Sequence, residues 1–258
     1  MNNIQSYEIH TERLFLRPIQ KKDVPHIFEI THSHPDMVKF MTFNPPQRIE
    51  ETMKFFEETQ IHTKKEKLVR WGIFLQERLV GIISLEDITR NIRACRMDVA
   101  EMGYWLNPEF HGQGIMTEVG KAVLEFGFNQ LNLHKVKISH ISENIASQRV
   151  IEKLGFRFVG EKKEDVFRFE KWWNKKIYEI IIDEFYTLYP GKNSKSSHVR
   201  RSSIPIFAPS KSTLLSFRTA SYQSGLGIYP RLQLSLYQYF LREKCSSKRP
   251  ISMAHGKL

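Results

Sequence analysis

Cysteine is almost absent from this 258-residue chain: Cys95 and Cys245 are the whole complement. Two thiols so far apart, without metal-ligand spacing, form no disulfide framework and fit a reducing cytoplasm. Long apolar runs are lacking as well. No stretch approaches the ~20 residues of a membrane span, and the opening "MNNIQSYEIHTERLFLRPIQ" has no apolar centre of the kind a signal peptide carries. The third scarcity is acidic charge beyond residue 190. Of the 39 Lys and Arg, 12 fall in 191–258, and of the 28 Asp and Glu only Glu243 does, which leaves 27 of each sign in 1–190. The net charge of +11 therefore belongs to the tail. The front part is neutral and lacks the electrostatic footprint of a nucleic-acid binder.

What is present is a sequence of short elements. "RLFLRPI" alternates Leu14 and Leu16 with Phe15 and Arg17 and predicts a first strand. "KKDVPHIFEITHS" and "IEETMKFFEETQIHTKKE" predict two helices, the second with Met53 and Phe56 at helical spacing. Three strands follow, "VRWGIFLQ", "LVGIISLEDI" and "RMDVAEMGYWL", joined by short turns such as Gln76–Arg78 that favour antiparallel neighbours. A helix with Met116, Val119, Val123 and Phe126 on one face comes next, then the strand "HKVKISHIS". "ASQRVIEKLG" predicts a second amphipathic helix with Ala146, Val150 and Leu154 inward and Gly155 as its stop. The segment from Phe156 to Tyr186 closes the domain as a final strand pair. The order β-α-α-β-β-β-α-β-α-β-β describes an α+β domain with a mixed sheet, not repeated βαβ units.

One junction carries chemistry. "WLNPEFHGQGIMTEVGKAVLEFGF" sets Gly112 and Gly114 immediately ahead of a helix. The first N–H groups of a helix have no intrahelical acceptor, and its dipole makes that end weakly positive. Glycines there let the backbone approach an anion such as a phosphate; a lone Gly-x-Gly is also compatible with an ordinary loop. It is not a Walker loop, which needs Gly-x-x-x-x-Gly-Lys-Ser/Thr. Nor is it a dinucleotide fingerprint, because the third glycine position is Thr117 and the motif comes late in the domain.

Four separated stretches together resemble the GNAT acyltransferase superfamily, and within it the group acetylating ribosomal-protein N-termini. They are "TERLFLRPIQKKDV", "AEMGYWLNPEFHGQGIMTE", "SENIASQRVIEKLGF" and the closing strand Trp172 to Tyr178. The likeness covers about 8–186 and defines a domain at 8–189. The family's loop pattern, Arg/Gln-x-x-Gly-x-Gly/Ala, falls on His111, Gly112, Gln113, Gly114, Ile115 and Met116, with His111 and Met116 departing from it. The resemblance implies that backbone N–H groups of 112–117, Thr117 included, hold the pyrophosphate of acetyl-CoA as acyl donor. It implies that Leu106 and its neighbours bond the pantetheine arm like an added strand, and that Asn144 reaches the same arm. Asn144 reads independently as a helix N-cap.

For the chemistry, acetyl transfer to an amine needs a base and a proton for the departing thiolate, without metal or covalent intermediate. Glu101, on the strand leading to the loop between Ala100 and Met102, is the candidate base; a solvent-facing strand glutamate is the alternative. Many relatives carry a tyrosine acid in the second helix, where this chain has Ile151. Ser147 is the candidate acid and a cofactor contact, with a water or Tyr104 as alternatives. Phe167, Trp172 and Trp173 either line an acceptor groove or belong to the core. His134 and His140 have no metal-ligand spacing.

The acceptor implied by the resemblance is a protein N-terminal amine. A small amine such as a polyamine or aminoglycoside is the alternative, and a non-catalytic acyl-CoA-binding domain is the reading from another class. Residues 190–258, rich in serine and basic residues, read as a disordered tail with one amphipathic segment at 231–242. Such a basic arm could touch rRNA or anionic lipid, or be unselected extension sequence. No motif bears on oligomeric state.

Overall fold

Alternation makes the first long strand. Leu14 and Leu16 are buried while Phe15 and Arg17 are only partly covered, so β2 (Leu14–Pro18) presents one apolar face. The chain is described here by a computed structural model covering residues 7–190. Cys245, the tail from 191 and the segment 231–242 lie outside those residues. β2 pairs antiparallel with the short β1 (Ile9–His10) on one side and with β3 (Val69–Leu75) on the other. β3 turns into β4 (Arg78–Ile92) through Gln76 and Glu77, both at positive φ (47° and 66°), the hand that matches strand twist. β5 (Cys95–Leu106) pairs antiparallel with β4.

β6 (Lys135–Ile141) then joins β5 in parallel, which requires a crossover, and α4 (Ile115–Asn129) supplies it. β8 (Lys171–Ile181) and β7 (Arg157–Arg168) complete an eight-stranded mixed sheet in the order β1-β2-β3-β4-β5-β6-β8-β7. The expected α+β class with a mixed sheet is what the chain forms.

Two cores cover the two faces of the sheet. On one side Val119, Val123 and Leu124 of α4 and Ile151 of α5 (Ile145–Lys153) pack against Leu16, Ile73, Met102 and Ile138. On the other, Ile27 and Ile30 of α1 (Val24–Ser33) pack with Phe74, Ile82 and Trp105, joined by Phe55 and Phe56 of α3 (Ile49–Lys64). A short α2 (Pro35–Val38), not foreseen from sequence, follows α1.

Two expectations need correcting. The last strand does not run to Tyr186: β8 stops at Ile181 and α6 (Ile182–Leu188) begins. The helix wins because Phe185 is buried against Phe128 of α4 and the Glu184 carboxylate accepts the Ile181 N–H at 3.0 Å. In α5, Ala146 is exposed rather than inward, and Ile151 fills the core beside Leu154. In α3, the fully covered positions are Thr52 and Thr59, with Met53 only partly buried. Thr59 satisfies its hydroxyl on the Phe55 carbonyl at 2.8 Å, which lets a polar residue face inward.

Candidate active site

The parallel pairing of β5 and β6 is short. It runs from Val99↔Lys135 to Met102↔Ile138 and stops, although β5 continues to Leu106 and β6 to Ile141. Beyond Met102 the two strands part, and the β5 edge is left open. Asn107 donates its N–H to the Val80 carbonyl at 2.8 Å. Antiparallel partners alternate in direction, so the N–H and C=O of Leu106, opposite Gly81, point to the open edge.

A cavity of about 590 Å³ occupies this place. Tyr104 and Leu106 belong to the face covered by α4 and α5, and Trp105 to the face covered by α1 and α3. All three line the one cavity, so it reaches both sides of the sheet at the gap. At one end it is walled by the 111–117 loop and α5, and at the other by Asp36, Met37, Phe40 and Met41 around α2.

The loop has the backbone geometry that suits an anion. Gly112 and Gly114 both sit at φ +74°, where a side chain is disfavoured, and nothing lies within 4 Å of the position a Gly112 Cβ would take. α4 starts at Gly114 without a side-chain cap, and its first i→i−4 bond runs from the Glu118 N–H to the Gly114 carbonyl at 3.0 Å. The N–H groups ahead of Glu118 thus have no helical acceptor, at the positive end of a 15-residue helix. Gly112, Gly114, Ile115, Met116 and Thr117 line the cavity.

Two loop side chains are engaged within the chain. The Gln113 side chain turns away from the cavity and donates to the Glu109 carbonyl at 3.2 Å. His111 lines the cavity, but its Nε2 donates to the Leu106 carbonyl at 2.9 Å. Half of the Leu106 edge is therefore taken up inside the chain, which leaves the N–H free for an extended ligand.

Asn144 fulfils its capping role, with its Oδ1 accepting the Ser147 N–H at 3.1 Å, and the residue also lines the cavity. Ser147 also lines the cavity, and its Oγ lies 2.9 Å from the Tyr104 hydroxyl. Burial pushes the Tyr104 phenol up to about 12, outweighing the Ser147 hydrogen bond that favours the phenolate. Tyr104 is thus a protonated donor throughout the neutral range. Ile151, where the resemblance leads one to expect a tyrosine, is fully buried in the core.

Glu101 does not line the cavity. By strand alternation from Met102 and Tyr104 it faces the α1–α3 side, where it accepts the Ser139 hydroxyl at 2.7 Å. Directly opposite on β4 is Glu86. Glu86 is neutralised by Arg70 at 2.6 Å and also accepts from Ser84 at 2.7 Å. Among the described residues no cation lies within ion-pair distance of Glu101. Like charges directly opposite across a strand pair oppose pairing, so a sheet keeping one of the two unpaired beside its gap departs from what packing alone favours. Glu86 and Arg70 escaped the sequence reading: a bulge between Ile73 and Phe74 shifts the register counted back from the Gln76–Arg78 turn, and Arg70, opposite Ser84, reaches Glu86 only diagonally.

The closing aromatics divide. Trp173 is buried, donates to the Arg168 carbonyl at 2.9 Å and meets the edge of Phe40 at 6.2 Å. It supports a cavity wall without lining it. Phe167 and Trp172 meet in a tilted pair, centroids 5.2 Å apart, on the outside; both are more than half exposed and neither lines the cavity. His140 is buried in the sheet with Nδ1 on the Ile141 carbonyl, and no group of three metal-ligating side chains occurs among the described residues. No helix among them is long and apolar enough to cross a membrane.

Comparison with known proteins matches this geometry. The sequence profile of the acetyltransferase (GNAT) domain fits residues 13–157. An uncharacterized N-acetyltransferase of Bacillus subtilis (strain 168) is 28% identical over 181 residues, 69% of this chain and 98% of its own. Among solved structures, a ribosomal L7/L12 alpha-N-protein acetyltransferase (RimL) with coenzyme A superposes with a TM-score of 0.63 at 23% identity. That match covers 69% of this chain and 99% of the other. A spermidine N-acetyltransferase from Vibrio cholerae, solved with coenzyme A and spermine, gives 0.60 at 21%, covering 68% of this chain and 98% of the other. With the profile spanning more than half of its length and the cavity where the open strand edge meets the glycine loop, the chain belongs to the GNAT acetyltransferase family.

Proposed function

We propose that this domain transfers acetyl from acetyl-CoA to the N-terminal amine of a protein, in the cytoplasm, by direct attack in a ternary complex. The observation that carries this reading is the single cavity that crosses the sheet at the β5–β6 gap, with the glycine loop at one end and α2 at the other. Backbone N–H groups of 112–117 hold the diphosphate, the Leu106 N–H and Asn144 hold the pantetheine arm, and the thioester supplies the activated acyl group.

The chain's residues then act from opposite faces. From the α1–α3 side, Glu101, set back from the cavity lining, takes the proton of the attacking amine through an intervening water as the C–N bond forms. Glu86 is tied to Arg70 and is the poorer base. From the α5 side, Ser147 gives its hydroxyl proton to the thiolate as the C–S bond breaks, and Tyr104, 2.9 Å away, replaces it. Both proton transfers are local and need no metal.

A protein N-terminus is favoured over a polyamine by the charge of the acceptor end. Among the described residues Asp36 is the one carboxylate lining the cavity, beside Met37, Phe40 and Met41. That wall suits one ammonium with an apolar neighbour; a polyamine carries several charges to be matched. The test is acetyl-CoA turnover against peptides beginning with Ser, Ala or Met and against spermidine and aminoglycosides. Higher kcat/KM for peptides is expected, and a clear preference for a polyamine would overturn the acceptor assignment. For the loop, Gly114→Asp should abolish CoA binding, since a carboxylate would meet the diphosphate and draw Arg13 off the loop. An unchanged calorimetric Kd would sink the loop assignment.

A further inference from the structure

The opening motif "TERLFLRP" does more than start a strand. Thr11 and Arg13, at the entry to β2, reach a residue more than a hundred positions away, Glu118 in the first turn of α4. The Thr11 hydroxyl donates to Glu118 Oε1 at 2.6 Å while accepting the Leu14 N–H at 3.0 Å. Arg13 Nε donates to Glu118 Oε2 at 2.6 Å. Burial alone would push the Glu118 carboxyl up; the Thr11 and Arg13 hydrogen bonds and the Arg13 charge outweigh it and hold the group below the usual carboxylate range. With the guanidinium fixed in this way, its Nη2 donates to the Gln113 carbonyl at 2.7 Å.

That last bond has a geometric consequence. The Gln113–Gly114 peptide is trans, so its C=O and N–H point in opposite directions. Pulling the Gln113 carbonyl toward Arg13 aims the Gly114 N–H the other way, and Gly114 lines the cavity whereas Gln113 does not. The same salt bridge balances a glutamate that would otherwise set a negative charge in the helix turn nearest the anion site.

We propose that Arg13 is a positioning residue for the acyl donor: held by Thr11 and Glu118, it pins the Gln113 carbonyl so that the Gly114 N–H faces the diphosphate. The proposal rests on the loop holding that diphosphate. Without Arg13 the peptide is free to turn, and two glycines make turning easy.

The experiment compares CoA with a donor that has no diphosphate, S-acetyl-pantetheine, using the full chain and the peptide acceptor turned over fastest. Arg13→Ala should raise the calorimetric Kd for CoA by about tenfold, the scale of one charge-assisted hydrogen bond. Its KM for S-acetyl-pantetheine and its kcat at saturating acetyl-CoA should stay as in the unaltered protein. Arg13→Lys, which keeps a charged donor, should lose only about threefold for CoA. A merely structural arginine would weaken both donors together and lower Tm. Equal losses for the two donors, or an unchanged Kd for CoA, would overturn the proposal. Should Arg13→Ala fail to fold, Arg13→Lys decides by the same comparison. Gly114→Asp separates the premises: if it abolishes CoA binding while Arg13→Ala leaves Kd unchanged, the loop reading stands and the role of Arg13 falls.

Discussion

Glu101 and Tyr104 are three residues apart on one strand, and alternation sends them to opposite faces of the sheet at its gap. Glu101→Gln keeps an acceptor for the Ser139 hydroxyl, which now sits at 2.7 Å, and removes only the capacity to take a proton. Turnover should fall by roughly 10²–10⁴-fold, the usual worth of a general base, with the CoA Kd unchanged. Full turnover across pH 6–9 would make Glu101 structural. Tyr104 has a different signature, because its phenol is pushed up to about 12 from an ordinary 10.0. A raised folded-state pKa contributes stability that is complete below pH 10 and is lost as the pH climbs towards 12. A difference of that size is worth about 2–3 kcal/mol. Tyr104→Phe should remove that part of the alkaline loss, measured by denaturant unfolding at pH 9 and pH 11.5. The same variant, lacking the partner of Ser147, should also lower kcat.

At the scale of the element, the cofactor edge depends on how closely β4 approaches β5. A Cβ on Gly81 would fall 2.6 Å from the Trp105 carbonyl oxygen and 3.2 Å from the Leu106 Cα, both backbone atoms that cannot swing aside. Gly81→Ala should therefore push the end of β5 outward, costing about 2 kcal/mol by the measure of overpacked sites and weakening CoA binding. Thermal unfolding and calorimetry test the two effects together; a stable variant with unaltered Kd would show that the Leu106 edge tolerates displacement. α6 is the complementary case. "IIIDEFY" is too short and too apolar for periodicity to separate strand from helix, and only the seat for Phe185 beside Phe128 resolves it.

At the scale of the whole chain, every element of the described residues lies before Pro190, and Tyr189 is the last side chain seen to pack. It rests on Phe185, lies under the Lys121 ammonium at 4.3 Å and donates to the Lys153 carbonyl at 3.1 Å. A chain ended after Pro190 should keep its Tm and its acetyl-CoA turnover. It should also lose the whole net charge of +11, and with it any binding to RNA or anionic vesicles, which in the full chain should weaken steeply with salt. A large drop in Tm or activity on truncation would refute the 8–189 domain boundary.

By itself the sequence determined whatever local rules control. Leu14 and Leu16 alternate, Met116, Val119, Val123 and Phe126 recur at helical spacing, and Gly112 and Gly114 mark a turn that other residues adopt poorly. Asn144 caps its helix wherever that helix lies. These are contests between near neighbours, and composition and spacing settle them. Only the tertiary structure decided what depends on residues far apart in the chain: that β5 and β6 part after Met102, that Glu101 faces Ser139 rather than Ser147, that Ala146 opens on the cavity while Ile151 fills the core. Arg13 is the clearest instance. Its meaning lies in Glu118 and Gln113, about a hundred residues distant, and no period or spacing in a one-dimensional pattern encodes which strand end will lie against which helix start.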